Sequence, residues 1–267
     1  LVIEFGSAYC ADGMNAVDWA LANYPVDVKT IGIMGFAGDY GGDYAKGVKA
    51  AAEANGITVA WEYIVPSPEF DVAQAVGLMV TKPVDAYFPA IGPTQMAQVA
   101  GGAFQQGLTP LAMMAAPSFN DAFVREGFAL APLFTSGSMY LMAFVAPYEA
   151  ETAGHATMRA TFTAMGIDSA NTFLVAGWAS QHHLKGVLEA ANKGGDLTRA
   201  GIRRAAGSVY VDSDGMMPQR ELGQNRADAE SFIAVPDGTI ASGVKLLAGN
   251  YVGPSAGGYD WESGPCS

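Results

Sequence analysis

Charge is scarce in this sequence, and histidine and cysteine are scarcer still. Only 15% of the 267 residues are Asp, Glu, Lys or Arg, with 26 acids against 14 bases and a net charge of −12. Phosphate binding draws on clustered Lys and Arg. Arg203 and Arg204 form the single adjacent basic pair, which argues against a nucleic-acid partner. No apolar run approaches the roughly 18 residues that a spanning helix needs, so direct membrane insertion is not expected. No targeting peptide is visible, since residues 1–5 read as a buried strand, although one can have been removed before Leu1. Cys10 and Cys266 stand near opposite ends of the chain, far beyond any C-x-x-C spacing, which disfavours zinc and thioredoxin chemistry. Whether they pair with each other, pair outside this chain or stay as free thiols is open on sequence alone.

Apolar residues are plentiful. They make up 50% of the chain, enough to bury a large core and to exclude disorder. The length fits one large domain or two lobes of about 100–150 residues. From residue 29 to 128 a short β-rich apolar run, a polar turn and a helical pattern recur, the signature of βαβ units in a parallel sheet flanked by helices. Strands are expected over 30–36, 57–65, 84–91, 110–116 and 128–135; helices over 44–55, 70–80 and 94–106, with a helical turn over 120–125. The alternation then stops. Helices are expected over 148–165, 171–192 and 197–206, the last with Asp196 as N-cap, before β signals return from Val209. Such a change suggests a chain that leaves one lobe, enters another and comes back.

Familiar chemical motifs fail one after another. The stretch G-I-M-G-F-A-G-D-Y-G-G follows a strand but lacks both G-x-G-x-x-G and G-x-x-x-x-G-K-[ST]. D-S-D-G at 212–215 begins like a calcium loop, yet position 12 is Gly223 where a bidentate Glu is required, so it reads as a tight turn. His182 and His183 are adjacent, so on a helix they point about 100° apart and cannot chelate one ion; His155 stands alone. Asp39 and Asp43 read first as helix-capping carboxylates. There is no G-x-S-x-G elbow and no assembled nucleophile, base and oxyanion donor, so no enzyme, cofactor or metal is expected.

GIMGFAGDYGGDYAKGVKAAAEANGITV, then VDAYFPAIGPTQMAQVAGGAFQQGL, then GDLTRAGIRRAA with V-D-S-D-G-M and a closing SFIAV together resemble one family. It is the branched-chain amino acid (Leu/Ile/Val) class of ABC-transporter substrate-binding proteins, with the α/β, two-lobed type I periplasmic-binding-protein fold. The resemblance implies ligand closed between two lobes joined by crossings near residues 5–7, 134–139 and 212–218. Lobe 2 would comprise 8–135 completed by the β tail 212–267, and residues 1–7 and 136–211 would belong to lobe 1. The match begins partway into the family pattern, which implies that lobe 1 is incomplete here. Its helices over 140–210 would then expose apolar faces unless earlier sequence covers them.

Ligands of open α/β sheets sit beyond the carboxyl ends of the strands. The resemblance assigns ligand contacts to three such turns: Asp39, Tyr40 and Gly41, whose aromatic ring would cover the ligand; Ile91 and Gly92; and Pro117, Ser118 and Phe119. Tyr9 and Phe173 are further candidates. Tyr40 also admits packing on its own helix, Ser118 capping of the turn at Asn120, and Phe173 a place in the core. Ser118 is neutral where a carboxylate for an ammonium group is expected, and Ile91 is aliphatic where an aromatic is common. The implied function is an extracytoplasmic solute-binding protein that captures a small polar or amphipathic solute, an amino acid or related organic acid or amide, and delivers it to the membrane permease of an ABC importer. The implied location is periplasmic or extracellular, with lipid anchoring through a removed or missing N-terminus as one route. The alternative is the ligand-sensing module of a receptor or regulator with the same fold.

Overall fold

The computed structural model describes residues 6–207, 209–217, 220–221 and 229–266. The strand expected over 1–5, which includes Phe5 of the first crossing, and Pro218 at the end of the third lie outside them.

Residues 8–28 announce no element by pattern, and the structure places α1 (Tyr9–Asn23) there. The expected alternation follows: β1 (Thr30–Phe36), α2 (Gly41–Ala54), β2 (Thr58–Val65), α3 (Val72–Thr81), β3 (Ala86–Ala90), α4 (Pro93–Gln105) and β4 (Leu111–Ala115). Period-2 side-chain alternation sorts each strand between two cores. Ile31 and Ile33 of β1, Phe88 of β3 and Met113 of β4 face the layer of α1 and α2. Met34, Tyr87 and Met114 face the layer of α3 and α4. Every residue of β3 and β4 is buried, as expected for the middle of a sheet covered on both faces.

The run F-A-L-A-P-L-F over 128–134 is not a strand. It holds a helical turn, α5 (Ala131–Phe134), preceded by a loop. A short apolar run cannot be told from a buried helical turn by periodicity. Here Pro132 removes a ladder donor, and the turn brings Phe128 and Phe134 onto one partner, Phe123, with ring centroids at 5.4 and 4.6 Å. The strand follows instead as β5 (Met139–Ala143), paired parallel to β4 from Ala112↔Met139 to Ala115↔Met142. Residues 139–143, assigned from sequence to the helical lobe, are therefore part of the central sheet. The chain leaves that sheet at Phe144, beyond the crossing expected over 134–139. There Gly6 lies against the Phe144 backbone, and Ala146 N donates to Met216 O at 3.1 Å. Three segments distant in sequence thus run side by side.

The helical segment comprises α6 (Ala153–Ala164), α7 (Thr172–Lys193) and α8 (Arg199–Ala205). The first begins later than expected because Thr152 caps it, accepting from His155 N. Thr198, not Asp196, caps α8; Asp196 instead accepts the Thr198 amide at 2.9 Å. A short ladder, β6 (Tyr210–Val211) with β7 (Arg220–Glu221), precedes β8 (Ser231–Pro236), β9 (Val244–Tyr251) and the turn α9 (Pro254–Gly257). The seven-stranded sheet has the order β2-β1-β3-β4-β5-β8-β9. Its first five strands are parallel, and β8 and β9 add antiparallel. D-S-D-G forms the expected tight turn, with Asp214 at φ 52° and its amide on Asp212 Oδ1 at 2.8 Å.

Candidate ligand-binding site

All five parallel strands end at one edge, and the turns after β1, β3 and β4 meet there. Tyr40 opens α2 immediately after the β1 turn. Its hydroxyl donates to the Ile91 carbonyl at 3.1 Å and lies 3.1 Å from Ser118 Oγ. Ser118, fully buried, accepts the Ile91 amide at 3.1 Å and donates to the carbonyl of Ile91 (3.0 Å) or Pro89 (3.2 Å). One serine therefore pins three turns that are separate in sequence. It does not cap the turn at 121–124; Asn120 does, accepting from Ala122 N at 2.9 Å. Ser118 is thus satisfied by backbone and Tyr40, and its hydroxyl holds the turns together.

Tyr9, at the start of α1, supplies the second aromatic. Its ring stands 4.9 Å from that of Tyr40 at 58°, a tilted pair. Burial, then the Asp12 and Asp39 carboxylates, push the Tyr9 phenol up to about 12. Burial likewise raises Tyr40 above its ordinary range, so both rings stay neutral. Asp39 is exposed at the rim. Neither it nor Asp43 caps α2: Tyr40 occupies the N-cap without a side-chain bond, and Asp43 pairs with Lys46 at 2.7 Å.

The remaining candidates divide. Gly41 packs against the Phe36 backbone, and Gly92 is the N-cap residue of α4 beside the Phe36 ring. Ile91 is fully buried and Phe119 nearly so, both within the core, so Ile91 presents its backbone to the edge rather than its side chain. Phe119 turns inward onto Phe123 at 5.9 Å because it follows the 3₁₀ turn at Ala116–Ser118. Pro117 is half-buried on that turn. Phe173 is 46% exposed at the first turn of α7, its ring 6.2 Å from Phe144. It is not joined to the Tyr9–Tyr40 pair. A small cavity separates it from the β4 turn, and Thr172 lines that cavity. Sequence reading passed over Thr172, although the N-T-F run at the head of a long helix marks it as a first-turn residue.

A larger surface cavity, about 560 Å³, lies between α1, α2 and the C-terminal segment. It is lined by Lys49, Glu53 and Tyr259 and sits toward the far end of α2, away from the carboxyl edge. That segment is fastened by a Cys10–Cys266 disulfide with Cα atoms 6.0 Å apart. Among the described residues no group of three or more His, Cys, Asp or Glu gathers to hold a metal, and no helix is long and apolar enough to cross a membrane.

This architecture has relatives. The profile of the periplasmic binding protein family matches residues 2–239. The chain belongs to that family. This periplasmic binding protein is similar in structure to a fatty acid ABC transporter substrate-binding protein from Thermomonospora curvata, with TM-score 0.86 and 24% identity over 96% of this chain and 66% of the other. A branched-chain amino acid ABC transporter structure from Thermus thermophilus with bound valine follows at TM-score 0.69 and 10% identity, over 93% and 66%. An ABC transporter substrate-binding protein from Aeropyrum pernix gives 0.72 and 13%, over 98% and 67%. At these identities the likeness establishes the shared fold, and the chain spans about two thirds of the length of each. No curated protein matches the sequence.

Proposed function

We propose that this periplasmic binding protein captures a small amphipathic solute at the carboxyl edge of its sheet and delivers it to the permease of an ABC importer outside the cytoplasm. The observation that carries the reading is the convergence of three strand-to-helix turns on Ser118 and Tyr40, with the Tyr9–Tyr40 pair beside them. An edge built this way is preorganised: its polar groups satisfy one another, and its aromatic faces remain for a ligand. The family membership supports transport, and relatives named for a fatty acid and for branched-chain amino acids support a solute with an apolar body. The disulfide suits an oxidising compartment.

Function of this kind is a population shift. Ligand contacts favour one arrangement of the chain, and roughly 5.5 kcal/mol of differential binding converts a 1:99 mixture to 99:1. Calorimetric titration of amino acids, fatty acids, short organic acids and amides into the full chain tests the reading. At least one class should bind, and Tyr40→Ala should weaken it by about 2 kcal/mol or more. Binding unchanged by Tyr40→Ala in a folded protein would move the site to another face.

A further inference from the structure

α7 is a 22-residue helix whose first turn faces the turn after β4 and Leu141 of β5. Asn171 caps it, its side chain accepting from Leu174 N at 3.0 Å, while Val175 N reaches Asn171 O. The amides of Thr172 and Phe173 precede the first intrahelical bond, so they point out of the helix end toward whatever lies there. What lies there is a cavity of about 10 Å³, walled by Ala116, Phe119, Asn120, Asp121 and Leu141 on the sheet side and by residues 171–173 on the other. That volume admits about one water-sized polar atom.

Thr172 makes this end unlike an ordinary helix start. It is 8% exposed, and its Oγ1 has no hydrogen-bond partner among the described residues. A buried hydroxyl is rarely left without one. Here it lines a cavity the size of a single oxygen, beside two outward-pointing amides and the positive end of the helix dipole. The neighbouring Asp121 carboxylate is engaged by Arg125, at 3.2 Å, which offsets its charge toward an incoming anion. Beyond the cavity the surroundings are apolar, with Phe173 46% exposed and facing Phe144.

We infer that the first turn of α7 is a carboxylate subsite of the solute cleft, with the Thr172 hydroxyl as its selecting donor, and that the solute is a carboxylate bearing an apolar chain. One carboxylate oxygen enters the cavity and accepts from Thr172 Oγ1 and the first-turn amides. The chain lies outward over Phe173 and Phe144. This rests on the solute-binding reading above and adds the ligand's chemistry to it. Fatty acids and apolar α-amino acids share that chemistry.

The test is calorimetric titration of octanoate, octanamide and L-leucine into the full chain, wild type and Thr172→Val, Thr172→Ser and Tyr40→Ala. Octanoate or leucine should bind the wild type and weaken at least tenfold in Thr172→Val, while Thr172→Ser retains the affinity. The melting temperature of Thr172→Val should not fall, because the hydroxyl it removes has no partner among the described residues. Octanoate binding alone identifies a fatty acid, and leucine binding alone an amino acid. Octanamide binding as tightly as octanoate, or carboxylate affinity indifferent to Thr172→Val, would overturn the subsite while leaving the solute-binding reading to the Tyr40→Ala result. Failure of all three probes on the wild type would overturn the inference as well.

Discussion

The Asp12 carboxylate in the first turn of α1 and the Ser231 hydroxyl at the head of β8 lie 2.6 Å apart, joined across 219 positions of chain. The same Oδ1 also accepts from Ser7 Oγ at 2.5 Å, while Oδ2 is buried without a partner among the described residues. Asp12 therefore ties the segment entering α1 to the strand that returns to the sheet, and does so through one of its two oxygens.

That arrangement has a pH signature. Burial pushes the Asp12 carboxyl up to about 7 from an ordinary 3.8, against the lowering effect of the Ser231 and Ser7 hydrogen bonds. The folded state then holds a proton that the unfolded chain gives up near 3.8. The associated stability is fully present below that pH and is lost as pH rises to about 7, at about 1.4 kcal/mol per pKa unit. Asp12→Asn should flatten the stability profile between pH 4 and 7 relative to wild type. Parallel profiles for the two proteins, by urea denaturation at several pH values, would show that Asp12 does not titrate in this window.

Ser118 should be worth more to the fold than its size suggests. Ser118→Ala strips the acceptor from the Ile91 amide and a partner from Tyr40, leaving a buried N–H unpaired. The expected loss is about 1–3 kcal/mol. Tyr40→Phe, which removes only the bond to the Ile91 carbonyl and the Ser118 contact, should cost about 1 kcal/mol and keep the ring face for ligand. Equal losses of stability in the two variants, or none in Ser118→Ala, would contradict the pinning role.

The Cys10–Cys266 bond closes a loop spanning 256 positions. In the chain-entropy account a loop of this size is worth up to about 5 kcal/mol. Cys266→Ser should lower the denaturant midpoint accordingly. A midpoint that stays put would show that the tail is held instead by Asp18, which accepts from Ser255 N and Oγ, both at 2.7 Å.

α1 and α2 approach closely enough for backbone to meet backbone. A Cβ on Gly47 would sit 1.9 Å from the Cys10 carbonyl oxygen, and one on Gly13 2.4 Å from the Tyr44 carbonyl oxygen. Neither obstacle is a flexible side chain, so Gly47→Ala must part the helices. A loss of about 2 kcal/mol or more is expected, with Tyr9 displaced from Tyr40. Unchanged thermal stability together with unchanged near-ultraviolet dichroism would refute the contact.

The parallel α/β architecture is written locally. Strands such as T-I-G-I-M-G-F and the Ala-rich helices between them carry their own periodicity and stop signals, so the position of the carboxyl edge and of the turns at Tyr40, Ile91 and Ser118 follows from the sequence. The run over 128–135, expected as a strand, holds a helical turn instead, because an apolar stretch has no period of its own and Pro132 and the packing on Phe123 favour the turn.

The tertiary structure alone decided what those polar residues do. On α1, Asp12, Asn15 and Asp18 form a polar stripe, yet all three are buried. They turn inward because Ser7 and Ser231 donate to Asp12, Gly253 N to Asn15, and Ser255 to Asp18. Three of those four donors stand more than 200 positions downstream of their acceptors and only Ser7 is close in sequence, so no local pattern could announce them. The same holds for the Tyr40 hydroxyl, whose partners at Ile91 and Ser118 appear only when the sheet brings three turns together. Hydrophobic period is a property of neighbouring residues, whereas the satisfaction of a buried polar group is a property of distant ones.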